Sequence, residues 1–106
     1  MSVDTLREVI GIEEYEDLEQ IDAASFEKQI AERLAKIGEV QRQVRVENRG
    51  DGRAGRIDLV LMTDEEAVPI EIDRMTPRAK SIFKVRSFNP DSAFVITRSP
   101  FRVLQV

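Results

Sequence analysis

The chain contains neither cysteine nor histidine in its 106 residues. Without cysteine it forms no disulfide and offers no thiolate to a metal. Without histidine it lacks the commonest general base, every catalytic triad built on imidazole, and the usual nitrogen ligand of zinc. No apolar run approaches membrane-spanning length and no secretory signal is visible, which predicts a cytoplasmic protein without a membrane partner. Hydrolytic chemistry in such a chain has to run on carboxylates, lysine, hydroxyls or a hard metal ion.

What is present is ordinary for a globular protein: 42% hydrophobic and 34% charged residues. The length predicts a single domain over 1–106 with one modest core. The net charge of −4 is unevenly spread. Residues 1–41 carry four basic and eleven acidic side chains, and residues 42–106 carry twelve and nine. The second part, net positive, can attract an anionic ligand although the whole is acidic.

That same part holds three carboxylates in a telling arrangement. Residues 56–62 and 68–73 read as neighbouring β-strands. Ile57, Leu59 and Leu61 alternate on one face of the first, and Val68, Ile70 and Ile72 on one face of the second. Asp58, Glu71 and Asp73 fall on the opposite parity. A hairpin turn over 63–67 pairs Leu59 with Ile70 and Leu61 with Val68. Continued to the end, it sets Ile57 opposite Ile72 and Asp58 opposite Glu71. Like charges side by side across a sheet are destabilising. A divalent cation with oxygen ligands would compensate them, so the three acids are expected to converge on one face.

The remaining pattern frames these strands. Residues 2–10 suit a short amphipathic helix stopped by Gly11, and the acidic run 13–19 reads as an exposed connector. A helix is predicted over 25–37, capped by Ser25 or Asp22, with Phe26, Ile30, Leu34 and Ile37 as its buried stripe. Val40, Val44 and Val46 then mark a half-buried strand. Residues 48–55 form a glycine-rich turn whose Arg49 and Arg53, with Arg56 just beyond, could touch phosphate. Thr76-Pro77 predicts a helix start, with the helix running to about Phe88. Residues 93–97 are a continuous apolar run, expected of a central strand parallel to the Glu71 strand. Residues 101–106 read as an edge strand. Phe83, Phe88 and Phe94 are expected in the core.

The order is helix, strand, strand, strand, helix, strand, with Asp58 opening the second strand after a glycine turn and Glu71 thirteen residues later. This resembles the PD-(D/E)XK nuclease superfamily over roughly residues 25–97. The resemblance implies an α/β (α+β) fold with an αβββαβ core: a mixed sheet flanked by helices, with 1–24 as a helical, acidic extension and 98–106 as an added strand. It implies that Asp58 and Glu71 bind Mg²⁺ (or Mn²⁺), with Glu27 on the first helix as a further ligand. The position two after Glu71, usually lysine in that family, holds Asp73, which would then serve as a third ligand or a base. The missing cation is expected from the following helix. Lys80 is the favoured candidate, and Lys84 is assigned with Arg49, Arg53 and Arg56 to nucleic-acid contact.

The function so implied is Mg²⁺-dependent hydrolysis of DNA phosphodiester bonds, by a homodimer and without a nucleotide cofactor. A catalytically degenerate module of the same fold, binding nucleic acid or a protein partner, is the alternative.

Overall fold

Period-3.6 and period-2 hydrophobic patterns set the elements, and short-range caps set their ends. The computed structural model describes residues 1–11 and 21–106; the acidic run 13–19 lies outside them. In chain order these residues form α1 (Val3–Ile10), α2 (Ala23–Leu34), β1 (Glu39–Val46), β2 (Gly55–Met62), β3 (Ala67–Asp73), α3 (Ala79–Phe88), β4 (Phe94–Arg98) and β5 (Phe101–Gln105). Ser2 caps α1 by accepting the Thr5 N–H at 3.1 Å, and Asp22 caps α2 by accepting the Ser25 N–H at 2.8 Å. Gly11 takes the left-handed conformation that closes α1.

The strands make one mixed sheet in the order β1-β2-β3-β4-β5. Only β3 and β4 run parallel, joined through α3; the other neighbours are antiparallel. The protein is therefore α+β, a five-stranded mixed sheet flanked by helices. One face carries Leu59, Leu61, Val68, Ile70, Phe94 and Ile96 against Leu6 and Ile10 of α1 and Phe26, Ile30 and Leu34 of α2. The other face carries Ile57, Val60 and Val95 against Val85 and Ile82 of α3. β4 is buried on both faces, which accounts for its unbroken apolar run. α1 supplies two wholly buried residues and β5 supplies Phe101, whose ring lies 6.1 Å from that of Phe26. The segments outside 25–97 thus build the main core rather than append to it.

Three expectations need correction. α2 ends at Leu34, not Ile37, and Ile37 is exposed. The reason lies at Gly38, where a Cβ would collide with the Met62 carbonyl. The chain has to leave the helix early to bring β1 that close to the end of β2. α3 begins at Ala79 rather than at Thr76-Pro77, because another group captures the Arg78 N–H, as described below. Phe83 and Phe88 are each 40% exposed on the outer side of α3, and Phe94 alone of the three is core. Val85 and Ser81 take the inward positions of that helix.

The packing fixes how aromatic truncation is felt. Phe26→Ala removes a fully enclosed ring and should cost about 3–5 kcal/mol of unfolding free energy. Phe88→Ala should cost less than about 1 kcal/mol. Urea unfolding followed by circular dichroism checks both.

Candidate active site

The β2–β3 ladder has the register the hydrophobic pattern requires, with Leu59 opposite Ile70, Val60 opposite Pro69 and Leu61 opposite Val68. It then stops. The pairs Asp58–Glu71 and Ile57–Ile72 do not form; the two side chains at that point enter the gap instead. Glu71 Oε2 accepts the Asp58 N–H at 2.9 Å, and Asp58 Oδ2 accepts the Ile72 N–H at 2.8 Å. Each strand's carboxylate satisfies a backbone amide of the other strand.

The irregularity extends into β1. Its pairing with β2 skips from Arg42–Leu59 to Val44–Ile57, leaving Gln43 opposite Asp58 at φ +53°. A left-handed conformation is uncommon for a residue with a side chain and tends to accompany functional or strained positions. The register is the same on both sides of this irregularity, yet Ile57 lies on the α3 side with Val60, whereas alternation had grouped it with Leu59 and Leu61.

Among the described residues the three acids form no single cluster, although the Asp58 carboxylate lies beside that of Glu71. Asp58 turns toward α2, where the Gln43 amide lies 3.5 Å from its Oδ1 and 3.0 Å from Glu27 Oε1. Glu71 turns toward α3 and pairs with Lys84, which also donates to the Arg56 carbonyl at 2.9 Å. Asp73 is drawn back onto the start of α3. It accepts the Arg78 N–H and Nε–H at 2.9 Å each and the Ser81 hydroxyl at 3.0 Å. Among the described residues no group of three carboxylates is placed to share an ion. Asp73, expected as a third ligand or base, is bonded to the start of α3.

The predicted cations are also redistributed. Lys80, favoured for the site, points to Asp51 at 3.9 Å and is well exposed. Lys84, assigned to nucleic acid, is the lysine on Glu71 and is only 12% exposed. Arg49 is held by Asp51 within a turn organised by Asn48, whose Oδ1 accepts the Gly50 and Gly52 N–H groups. Both glycines have positive φ, so the glycine loop has a conformational reason to be there. Arg53 and Arg56 are exposed. Glu27 pairs with Arg42 at 2.6 Å.

Electrostatically, Glu71 stands apart. It is 2% exposed. Burial, and next the neighbouring Asp58 carboxylate, push its pKa from 4.5 to about 7, against the opposing pull of Lys84 and the Asp58 amide. A cleft of about 300 Å³ opens over this end of the sheet, lined by Glu27, Asp58, Ile72, Asp73, Arg74, Arg78 and Arg98, with Ala23 of α2. Gln43, Ser81, Arg78 and Arg98 were not anticipated. Nothing in the spacing of Gln43 marks it, because its role depends on a backbone irregularity. Arg78 could have been reached through Asp73, had the acid been read as a helix clamp.

The chain matches no known family model, no curated protein and no solved structure at a significant level.

The raised Glu71 pKa carries a stability consequence. The folded state holds this proton more tightly than the unfolded chain. Its contribution to stability is therefore full below about pH 4.5, falls as pH rises toward about 7, and is flat above. Glu71→Gln removes the titration. Its unfolding free energy relative to wild type should rise between pH 5 and pH 8 by about 2 kcal/mol, as measured by urea unfolding at each pH. A difference that does not change with pH would contradict the assignment.

Proposed function

We propose that the chain is a Mg²⁺-dependent, nuclease-like domain of the PD-(D/E)XK type that hydrolyses DNA phosphodiester bonds. In this reading Asp58 and Glu71 hold the ion, and Lys84 steadies Glu71. One observation carries it. Of the four acids at this end of the sheet, Glu27 pairs with Arg42, Glu71 with Lys84 and Asp73 with Arg78, while Asp58 has no cationic partner among the described residues. Asp58 also lies beside a carboxylate that already resists ionisation. A hard dication is the compensation that this pair lacks.

The donor set suits such an ion. Mg²⁺ takes oxygen ligands and keeps several of its waters, so two carboxylates suffice, with Glu27 across the cleft to hold a coordinated water. When bound, the ion would polarise a phosphoryl oxygen and make a coordinated water more acidic. The protein's own part is positional. Ile72 N–H and Asp58 N–H fix one oxygen of each acid. Lys84, anchored on the Arg56 carbonyl, keeps Glu71 oriented. Exposed Arg53 and Arg56 offer phosphate contacts nearby, and a homodimer would present two such sites to the two strands of a duplex.

A second reading has its own support: both carboxylates are already satisfied by backbone amides, as in a module that binds nucleic acid or a protein partner without catalysis. One experiment separates the two. Mn²⁺ titration and plasmid nicking are run on wild type and Asp58→Ala. Nicking should require Mg²⁺ or Mn²⁺ and fall by about 100-fold or more in the variant. Mn²⁺ affinity should rise with pH up to about 7 and then level, because the ion displaces the Glu71 proton. A wild-type protein that binds no Mn²⁺ and leaves the plasmid intact, yet retards DNA in EDTA, would establish the binding module instead.

A further inference from the structure

Asp73 is wholly enclosed, yet besides the Ser81 hydroxyl both its oxygens go to one largely exposed arginine. The Arg78 side chain is 70% exposed. Capping the amide at the start of α3 needs no charge; a serine, threonine or asparagine side chain does it. The pair neutralises an enclosed carboxylate, which by itself does not require the guanidinium to reach into solvent. What the arrangement does achieve is orientation. Arg78 sits before α3 in extended conformation, at φ −81° and ψ 151°. Its N–H and Nε–H are both committed to Asp73, so the guanidinium is held at two points along its length. Its terminal nitrogens have no acceptor among the described residues, and the side chain lines the same cleft as Asp58. Arg74 and Arg98 line that cleft too, and Arg98 acts electrostatically on Asp22 at the start of α2.

Lys84 cannot present charge to a ligand there, since it is nearly buried between Glu71 and the Arg56 carbonyl. The cleft therefore has a carboxylate floor and an arginine rim. A planar guanidinium fixed at Nε leaves a two-nitrogen edge suited to two oxygens of one phosphate.

We propose that Arg78, oriented by Asp73, binds the phosphoryl oxygens of a polynucleotide phosphodiester in the Asp58 cleft, with Arg74 and Arg98 on neighbouring phosphate. Asp73 and Arg78 together then supply, from the strand position two after Glu71, a cation that one residue does not. The assignment rests on the phosphodiesterase reading for its substrate, but its phosphate chemistry is testable without metal. Arg78 is the binding and catalytic group; Asp73 is a positioning residue.

The first arm uses inorganic pyrophosphate in EDTA, titrated into ¹⁵N-arginine-labelled protein. The Arg78 Nε–Hε signal, assigned by its loss in Arg78→Lys, should shift saturably, and unlabelled oligothymidylate should reverse the shift. Arg78→Ala should weaken pyrophosphate binding about tenfold; because it also strips the enclosed Asp73 of its cation, binding is compared well below the variant's lowered melting temperature, where its circular dichroism matches wild type. Asp73→Asn should weaken it while moving the Arg78 signal; should that variant not fold, Arg78→Ala still decides. The second arm is Mn²⁺-dependent cleavage, where Arg78→Ala should lower kcat about 100-fold at unaltered Mn²⁺ affinity, with partial rescue by Arg78→Lys. Pyrophosphate leaving Arg78 unshifted, Arg78→Ala binding pyrophosphate as wild type does, or Arg78→Ala matching a wild type that cleaves, would overturn the proposal. Pyrophosphate bound without competition from oligothymidylate would overturn its polynucleotide part. A wild type that never cleaves, but whose pyrophosphate binding depends on Arg78, ends the nuclease reading and leaves the phosphate site standing.

Discussion

The exchange of amides between Asp58 and Glu71 is the interaction on which this end of the molecule depends. A β-ladder broken in mid-sheet leaves two N–H groups that need acceptors, and leaving them unmade costs on the order of 1–3 kcal/mol each. Here the strands part after Leu59–Ile70, and the two carboxylates take over the Asp58 and Ile72 amides. The ladder thus converts backbone pairing into a fixed placement of two acids. Their separation is set by the splay of the strands rather than by flexible side chains, which is the precision a metal or phosphate site needs.

That placement is electrostatically unfavourable on its own. Glu71 is enclosed and faces Asp58, and even with Lys84 beside it the carboxylate remains harder to ionise than in water. Burying a charge is tolerated when it is paired and hydrogen-bonded. Glu71 meets both conditions and still titrates near neutral pH, so one lysine does not neutralise two acids. Strongly perturbed groups of this kind concentrate where chemistry is done, although structural ion pairs perturb them too.

The parts of the structure that follow periodic burial were legible in the sequence. The Leu59–Ile70 register, the antiparallel hairpin, the parallel β4 and the edge position of β5 all follow from which residues must be covered. The failures share one cause: local geometry overrode the period. Ile57 changed faces because the chain is irregular at Asp58. Ile37 was excluded because Gly38 must approach Met62. Thr76 lost its cap role because Asp73 binds the Arg78 amide first. The same holds for the site. The sequence named Asp58 and Glu71 correctly as neighbours, but it could not show that backbone amides of the opposite strand would hold one oxygen of each.

The cations around Asp73 and Glu71 could, in hindsight, have been derived. α3 returns along the sheet against the direction of β3, so a step forward on the helix answers a step back on the strand. From Asp73 to Glu71 is two strand residues, about 7 Å. From Arg78 to Lys84 is six helix residues, about 9 Å. The first cation therefore falls by the later acid and the second by the earlier one, as observed. Lys80, two residues past Arg78, is turned roughly 200° away around the helix and cannot reach either acid; it meets Asp51 instead. These salt bridges fix where Glu71 and Asp73 point, yet Lys84 does not fully offset the burial of Glu71 beside Asp58. Asp58, held by a backbone amide and a glutamine 3.5 Å away, is the acid of the four without a cation among the described residues, and an ion placed there would compensate both carboxylates.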